Sequence, residues 1–162
     1  MTDSLAFTDR VVVVTGGTQG VGRGIAECFL SAGANVVVCA RKPPARPVAA
    51  SGREAVFEPL NVRSHEEIDR VLTAVQARFG RLDVWINNAG GSPPSAAATA
   101  SPGYTAAIID LNLTAALVCA QRANALMQTQ EQGGVILNIA SVSALRASPG
   151  TAAYGAAKAG LL

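Results

Sequence analysis

Residues 11–22 read Val11-Val12-Val13-Val14-Thr15-Gly16-Gly17-Thr18-Gln19-Gly20-Val21-Gly22. Four successive β-branched residues with no polar interruption predict a strand buried on both faces. The glycines that follow, spaced Gly-x3-Gly-x-Gly, predict a tight turn into a helix over Val21–Ala32, which Gly33 closes. Such a helix N-terminus offers unpaired N–H groups and the positive end of a dipole, a natural seat for phosphate. No Gly-Lys-Ser/Thr follows, which argues against a nucleoside triphosphate loop.

The same alternation continues. Val36–Ala40, residues 55–58, Leu82–Ile86 and Val135–Ile139 read as further strands, the last as a buried central one. Ser64-His65-Glu66-Glu67 is a capping box, with Ser64 as N-cap and Glu67 at N3. It opens a helix whose apolar face is Ile68, Val71, Leu72, Val75 and Phe79, stopped by Gly80. A long helix is predicted over 104–128 with Ile109, Leu113, Leu117 and Ala120 on one face, and a last helix begins near Ala152. Between the second and third strands, Lys42-Pro43-Pro44-Ala45-Arg46-Pro47 cannot be helical, so a short loop or a single turn is predicted there. Strand and helix in alternation mean a doubly wound α/β parallel sheet of order 3-2-1-4-5, as one domain over residues 1–162.

Composition agrees. Hydrophobic residues are 49% and charged residues 15% of the chain, with mean hydropathy +0.30, too apolar for disorder and suited to a sheet covered on both faces. A net charge of +2 and the lack of a basic stripe argue against nucleic acid as a partner. Cys28, Cys39 and Cys119 are scattered without zinc-like spacing and His65 is the only histidine. They predict no metal site, no histidine-based triad and a reducing compartment. The amino terminus has no basic and apolar signal pattern, and no uncharged apolar run approaches a bilayer span. The expectation is a cytoplasmic protein without a membrane partner.

Two further constellations carry chemistry. Asn87-Asn88-Ala89-Gly90 stands at the carboxyl end of the fourth strand, where open α/β sheets hold ligands. Ser141 precedes Tyr154-Gly155-Ala156-Ala157-Lys158, in which i, i+4 spacing puts a phenol and an ammonium on one helix face. An ammonium beside a phenol favours phenolate, the form that exchanges a proton with an alcohol or ketone. Each piece alone has an ordinary reading: a ligand-free turn, a strand exit, or a chance pair on a surface helix. Asn112, mid-helix, can simply be solvated.

All the pieces in this order resemble the short-chain dehydrogenase/reductase family, in the branch with Thr-Gly-x-x-x-Gly-x-Gly, Asn-Asn-Ala-Gly and Tyr-x-x-x-Lys. The match runs from Val11 to Leu162. The resemblance implies a Rossmann-like oxidoreductase that moves hydride between a nicotinamide cofactor and a carbonyl or secondary alcohol of 3-oxoacyl thioester or steroid type. It implies Tyr154 as acid/base and Ser141 as the hydroxyl polarising the carbonyl. Lys158 would support the tyrosine and hold the nicotinamide ribose, and Asn112 would fix the helix and a water beside Lys158. The cofactor would lie along Thr15, Gly16, Thr18, Gln19, Gly20, Val21, Gly22, Asn61, Val62, Asn87, Ala89, Gly90, Tyr154 and Lys158.

At the end of the second strand Ala40 replaces a discriminating acid, and Arg41 with Lys42 follows. A guanidinium there suits a 2′-phosphate, so NADP(H) is expected over NAD(H). The chain departs from the family in three ways. Asn61 stands where an acid often binds adenine. The proline-rich loop replaces the helix after the second strand. The sequence ends at Leu162, with no sixth or seventh strand and no substrate-covering segment. A 162-residue piece is therefore expected to associate through its open sheet edge and to lack turnover, while a longer form would be a dimer or tetramer. The alternative is a truncated or non-catalytic homologue that serves as a binding or interface module.

Overall fold

The computed structural model describes residues 6–146 and 148–162, so the first five residues of the amino-terminal stretch discussed above lie outside it. Strand β1 (Val11–Thr15) passes through the glycine turn into helix α1 (Gly20–Ser31) and then β2 (Asn35–Ala40). A small ladder, β3 (Ala49–Ala50) with β4 (Arg53–Glu54), precedes β5 (Val56–Pro59) and α2 (His65–Phe79). Strand β6 (Val84–Asn87), helices α3 (Pro102–Ile109) and α4 (Ala115–Met127), β7 (Val135–Asn138) and α5 (Ala152–Ala159) complete the order.

The main sheet runs β5-β2-β1-β6-β7 and every pairing in it is parallel. Apart from the β3–β4 ladder, this is the expected 3-2-1-4-5 order. The spatial order of successive strands reverses between β1 and β6, which opens a crevice at their carboxyl ends. Period-two alternation divides the core. Val11, Val13, Val37, Cys39 and Trp85 pack with Ile68 and Val75 of α2 and Cys119 and Ala123 of α4. Val12, Val14, Val36, Val38, Val84 and Ile86 pack with Ala26 and Leu30 of α1. Burial raises the Cys39 thiol far above its ordinary range and pushes Cys119 up to about 12, so both behave as small core hydrophobes.

The crossover after β2 is more ordered than a loop or single turn. Ser51 and Gly52 both have positive φ, 50° and 75°, the signature of a two-residue hairpin turn. Arg23 on α1 donates to the carbonyls of Arg46 (3.1 Å) and Pro47 (2.7 Å) and pairs with Glu27 at 2.7 Å, while Val48 is buried. One guanidinium thus anchors the proline segment.

The long helix also differs. A π-helical turn, Asp110–Thr114, separates α3 from α4. Its extra residue rotates the buried stripe, which becomes Ile108, Asn112, Ala115, Ala116, Cys119 and Ala123, whereas Leu117 is 51% exposed. Pro102–Met127 together make 26 helical residues with a hydropathy of 1.4, enough by length and composition to cross a bilayer. They carry Asp110 and Arg122, however, and Arg122 pairs with Asp69 of α2 at 2.6 Å. Strand β7 has a neighbour on one side only, and Val135 and Leu137 are 53% and 43% exposed. In residues 1–162 this apolar strand is therefore the open sheet edge that the sequence reading expects.

At the opposite end of β1 and β6 sits one buried carboxylate. Asp83 accepts hydrogen bonds from Val11 N (2.8 Å), Arg10 and Arg81. Burial pushes its pKa up, but the bonds from Arg81, Val11 and Arg10 outweigh this and hold it below its ordinary value. A depressed carboxylate contributes stability above its unfolded pKa of about 3.9 and loses it as pH falls through the lower folded value. Asp83→Asn is expected to cost about 2 kcal/mol at neutral pH, the low side for a buried pair because both arginines reach solvent. The difference should shrink as pH falls below about 3.9 and through the lower folded value, which urea melts across pH will measure.

Candidate functional site

The glycine turn is held from below by β6. Thr15 Oγ1 donates to Ile86 O (3.1 Å) and accepts from the N–H groups of Asn88 and Ala89, both at 3.0 Å. Asn88 Nδ2 donates to Thr15 O (2.9 Å) and Gly16 O (3.2 Å), and Gly16 N donates to Cys39 O at 2.7 Å. A Cβ on Gly22 would lie 2.4 Å from both Asn88 Nδ2 and Gly16 O. Gly20 has φ +54° and faces open space. The N-cap Gln19 makes no side-chain cap bond and the first turn of α1 has no acid. Uncapped N–H groups beside open space fit a phosphate group.

These residues form one wall of a cleft of about 390 Å³. The wall comprises Gly16, Thr18, Gln19, Gly20, Val21 and Gly22. Arg41 enters from the end of β2, Asn61 and Val62 from the loop after β5, and Ala89 and Gly90 from the loop after β6. Thr15, Lys42, Asn87, Tyr154 and Lys158 are not on that wall. Thr15 lies beneath it. Asn87 is 4% exposed; its amide accepts from Trp85 Nε1 (2.8 Å) and donates to Ala116 O (3.0 Å) and Asn138 Oδ1 (2.9 Å). It ties β6 to β7 and α4.

Asn88, Leu60, Arg63 and Leu111 also line the cleft, although sequence reasoning did not select them. Asn88 was within reach as the second amide of its motif. Arg63 and Leu111 depend on how the β5 loop and the π turn converge, for which the sequence has no signal. The capping box is rearranged at this loop. Ser64 Oγ accepts from Glu67 N at 3.3 Å, but Glu67 Oε2 accepts from Asn61 N at 2.7 Å rather than from Ser64 N. Asn61 is thereby pinned against the cleft.

A second group of side chains meets beside Gly90. Lys158 is 3% exposed, donates from Nζ to Ile139 O at 2.7 Å and lies 5.8 Å from the Tyr154 ring centroid. Burial lowers its pKa. Asn112, in the π turn, accepts from Gly91 N (2.8 Å) and donates to Gly91 O (3.0 Å) and Ile108 O (2.9 Å). A Cβ on Gly90 would sit 2.5 Å from Asn112 Oδ1 and 3.6 Å from Lys158 Nζ, so Gly90, Asn112 and Lys158 share one junction. Ser141 caps a 3₁₀ turn (Val142–Ala144) by accepting from Ser143 N at 3.2 Å. Helix α5 rests on that turn, with a Cβ at Gly155 only 2.8 Å from Ser143 O. Ser141 and Tyr154 are therefore carried on elements in direct contact. Among the described residues, no three His, Cys, Asp or Glu side chains gather as a metal site would require.

A protein-family model for short chain dehydrogenase matches residues 10–162. The chain belongs to the short chain dehydrogenase family. This family member is 34% identical over 163 residues to a 3-oxoacyl-[acyl-carrier-protein] reductase of Synechocystis sp., covering 97% of this chain and 66% of that protein. It is 33% identical to a 3beta-hydroxysteroid dehydrogenase of Mediterraneibacter gnavus, covering 94% of this chain and 56% of that one. The crystal structure of a short chain dehydrogenase from Bacillus anthracis superposes with a TM-score of 0.84 at 28% identity, over 94% of this chain and 66% of that one. The family member thus spans about two thirds or less of the length of these relatives.

Proposed function

We propose that residues 1–162 are a single dinucleotide-binding unit of an NADP(H)-dependent oxidoreductase acting on a carbonyl or secondary alcohol, of 3-oxoacyl thioester or steroid type. The observation that carries this reading is the junction of Gly90, Asn112 and the buried Lys158, with Tyr154 on the same helix. When bound, the nicotinamide supplies the hydride. Tyr154 donates its phenolic proton to the substrate oxygen. Ser141 donates a hydrogen bond to the same oxygen, where negative charge grows. Lys158, fixed by the Ile139 carbonyl and 5.8 Å from the Tyr154 ring centroid, would support the phenol and hold the nicotinamide ribose. Asn112 holds Gly91, and so the loop, at a set distance from that ammonium. The substrate classes rest on the two relatives, a 3-oxoacyl-[acyl-carrier-protein] reductase and a 3beta-hydroxysteroid dehydrogenase. A cytoplasmic homo-oligomer is the setting we assign.

NADP(H) is supported by Arg41 on the cleft wall directly after the acid-free end of β2. A guanidinium there pairs with a 2′-phosphate, and such charged bonds contribute about 1.5–3 kcal/mol. Fluorescence titration of the full natural polypeptide should give tighter binding of NADPH than NADH. Arg41→Asp should lower NADPH affinity roughly 10–100-fold and leave NADH within a few-fold. Tighter binding of NADH by the unmodified protein would falsify the preference. Cofactor binding without reduction of any ketone would instead favour the non-catalytic binding module.

A further inference from the structure

The segment after Gly90 carries no helix or strand until α3, yet it is tied down at successive points. Gly91 exchanges two hydrogen bonds with Asn112. The Tyr104 hydroxyl lies 2.9 Å from Ser92 Oγ and donates to Pro93 O. Ser95 N donates to Gly150 O at 3.0 Å, and a Cβ on Gly150, whose φ is +75°, would sit 3.4 Å from Pro94 Cβ. The segment therefore runs from the Asn112–Lys158 junction to the turn that begins the Tyr154 helix. Pro93 and Pro94 are exposed and Tyr104 is half-buried.

Residues 91–100 are Gly, Ser, Pro, Ala and Thr only, so this strap presents small, uncharged groups beside the reacting centre. Among the contacts that hold its middle, one side-chain group stands out: the Tyr104 phenol, which belongs to α3. We propose that Tyr104 is a positioning residue for the substrate. Its hydroxyl sets the place of Ser92–Pro94, and that wall receives the uncharged acyl or ring portion next to the carbonyl. This rests on the carbonyl oxidoreductase reading above. The reasoning is geometric: displacing a positioning wall by about 1 Å is enough to impair catalysis. The ring of Tyr104 need not change for the wall to move.

Tyr104→Phe keeps the ring in α3 and deletes only the bonds to Ser92 and Pro93. It should be compared with the unmodified full natural polypeptide, using ethyl acetoacetate and acetoacetyl-CoA with NADPH. The expected result is a KM for the ketone raised about tenfold, with kcat within about twofold and NADPH affinity unchanged. Amide hydrogen exchange is the second arm. Exchange at Gly91 and Ser95 should quicken more than tenfold in Tyr104→Phe, with the amides of α3 and α4 unchanged. Unchanged exchange at those two amides overturns the strap, whatever the kinetics. Faster exchange with an unchanged KM overturns its role toward substrate. An unmodified protein that reduces neither ketone sinks the functional reading and the substrate role with it, and the exchange arm then decides on the strap alone.

Discussion

Tyr154→Phe is expected to lower carbonyl reduction by the full natural polypeptide about 10²–10⁴-fold, the usual contribution of a positioned general acid. NADPH affinity should remain within about twofold, because the lost hydroxyl does not line the nucleotide cleft. Lys158→Met should behave differently and damage both. Its ammonium is buried at 3% exposure and bonded to Ile139 O at 2.7 Å, next to Gly90 of the cleft wall. A methionine there leaves that carbonyl without its donor and the ribose without a partner. Steady-state kinetics and cofactor titration on both variants separate the two roles. Near-normal turnover by Tyr154→Phe would remove the tyrosine as acid/base.

Gly22→Ala is expected to have the largest effect on the nucleotide cleft. The new Cβ would lie 2.4 Å from Gly16 O, which is backbone and is itself held by the Gly16 N–H bond to Cys39 O at 2.7 Å. Neither side can yield without moving the turn. Overpacking of this kind costs about 1–3 kcal/mol or more, and NADPH affinity should fall at least tenfold as the turn shifts. Gly24 is the matched control, two residues along the same helix. A Cβ there meets nothing within 4 Å, so Gly24→Ala should stabilise the protein by about 0.5–1 kcal/mol through helix propensity. Thermal melts with and without NADPH distinguish the two. An equal response of the two glycines would mean that the turn is not clamped as described.

Much of this architecture is legible in the amino-acid sequence. Val11–Val14, Val36–Ala40 and Val84–Ile86 are apolar in succession because a parallel sheet covers both faces of its inner strands. The glycine turn, Gly80 and Ser64 are positions where backbone geometry restricts residue choice, and restriction leaves a local mark in sequence. The Tyr154–Lys158 spacing is equally local, since one helical turn sets it. β7 is apolar like an inner strand, and whether a neighbour lies beside it is not written in its own residues. The β3–β4 hairpin is hidden for a related reason: Ser51-Gly52 is a weak turn signal, and what holds the segment is Arg23 from a distant helix.

The amino-acid sequence by itself determines the order of the main strands and helices, the glycine turn and the one-face spacing of Tyr154 and Lys158, because these follow from local periodicity and local backbone demands. Tertiary structure alone decides which of two neighbouring asparagines does what. Asn87 turns into the β6–β7–α4 packing while Asn88 turns to the glycine loop, since alternate residues of a strand face opposite sides. It decides that the helix carrying Asn112 opens into a π turn, that Glu67 reaches Asn61 and that Tyr104 holds the Ser92–Pro93 strap. The asparagine contacts join segments 51 and 73 residues apart, and a hydrogen bond closed across such a distance depends on the packing of every element between.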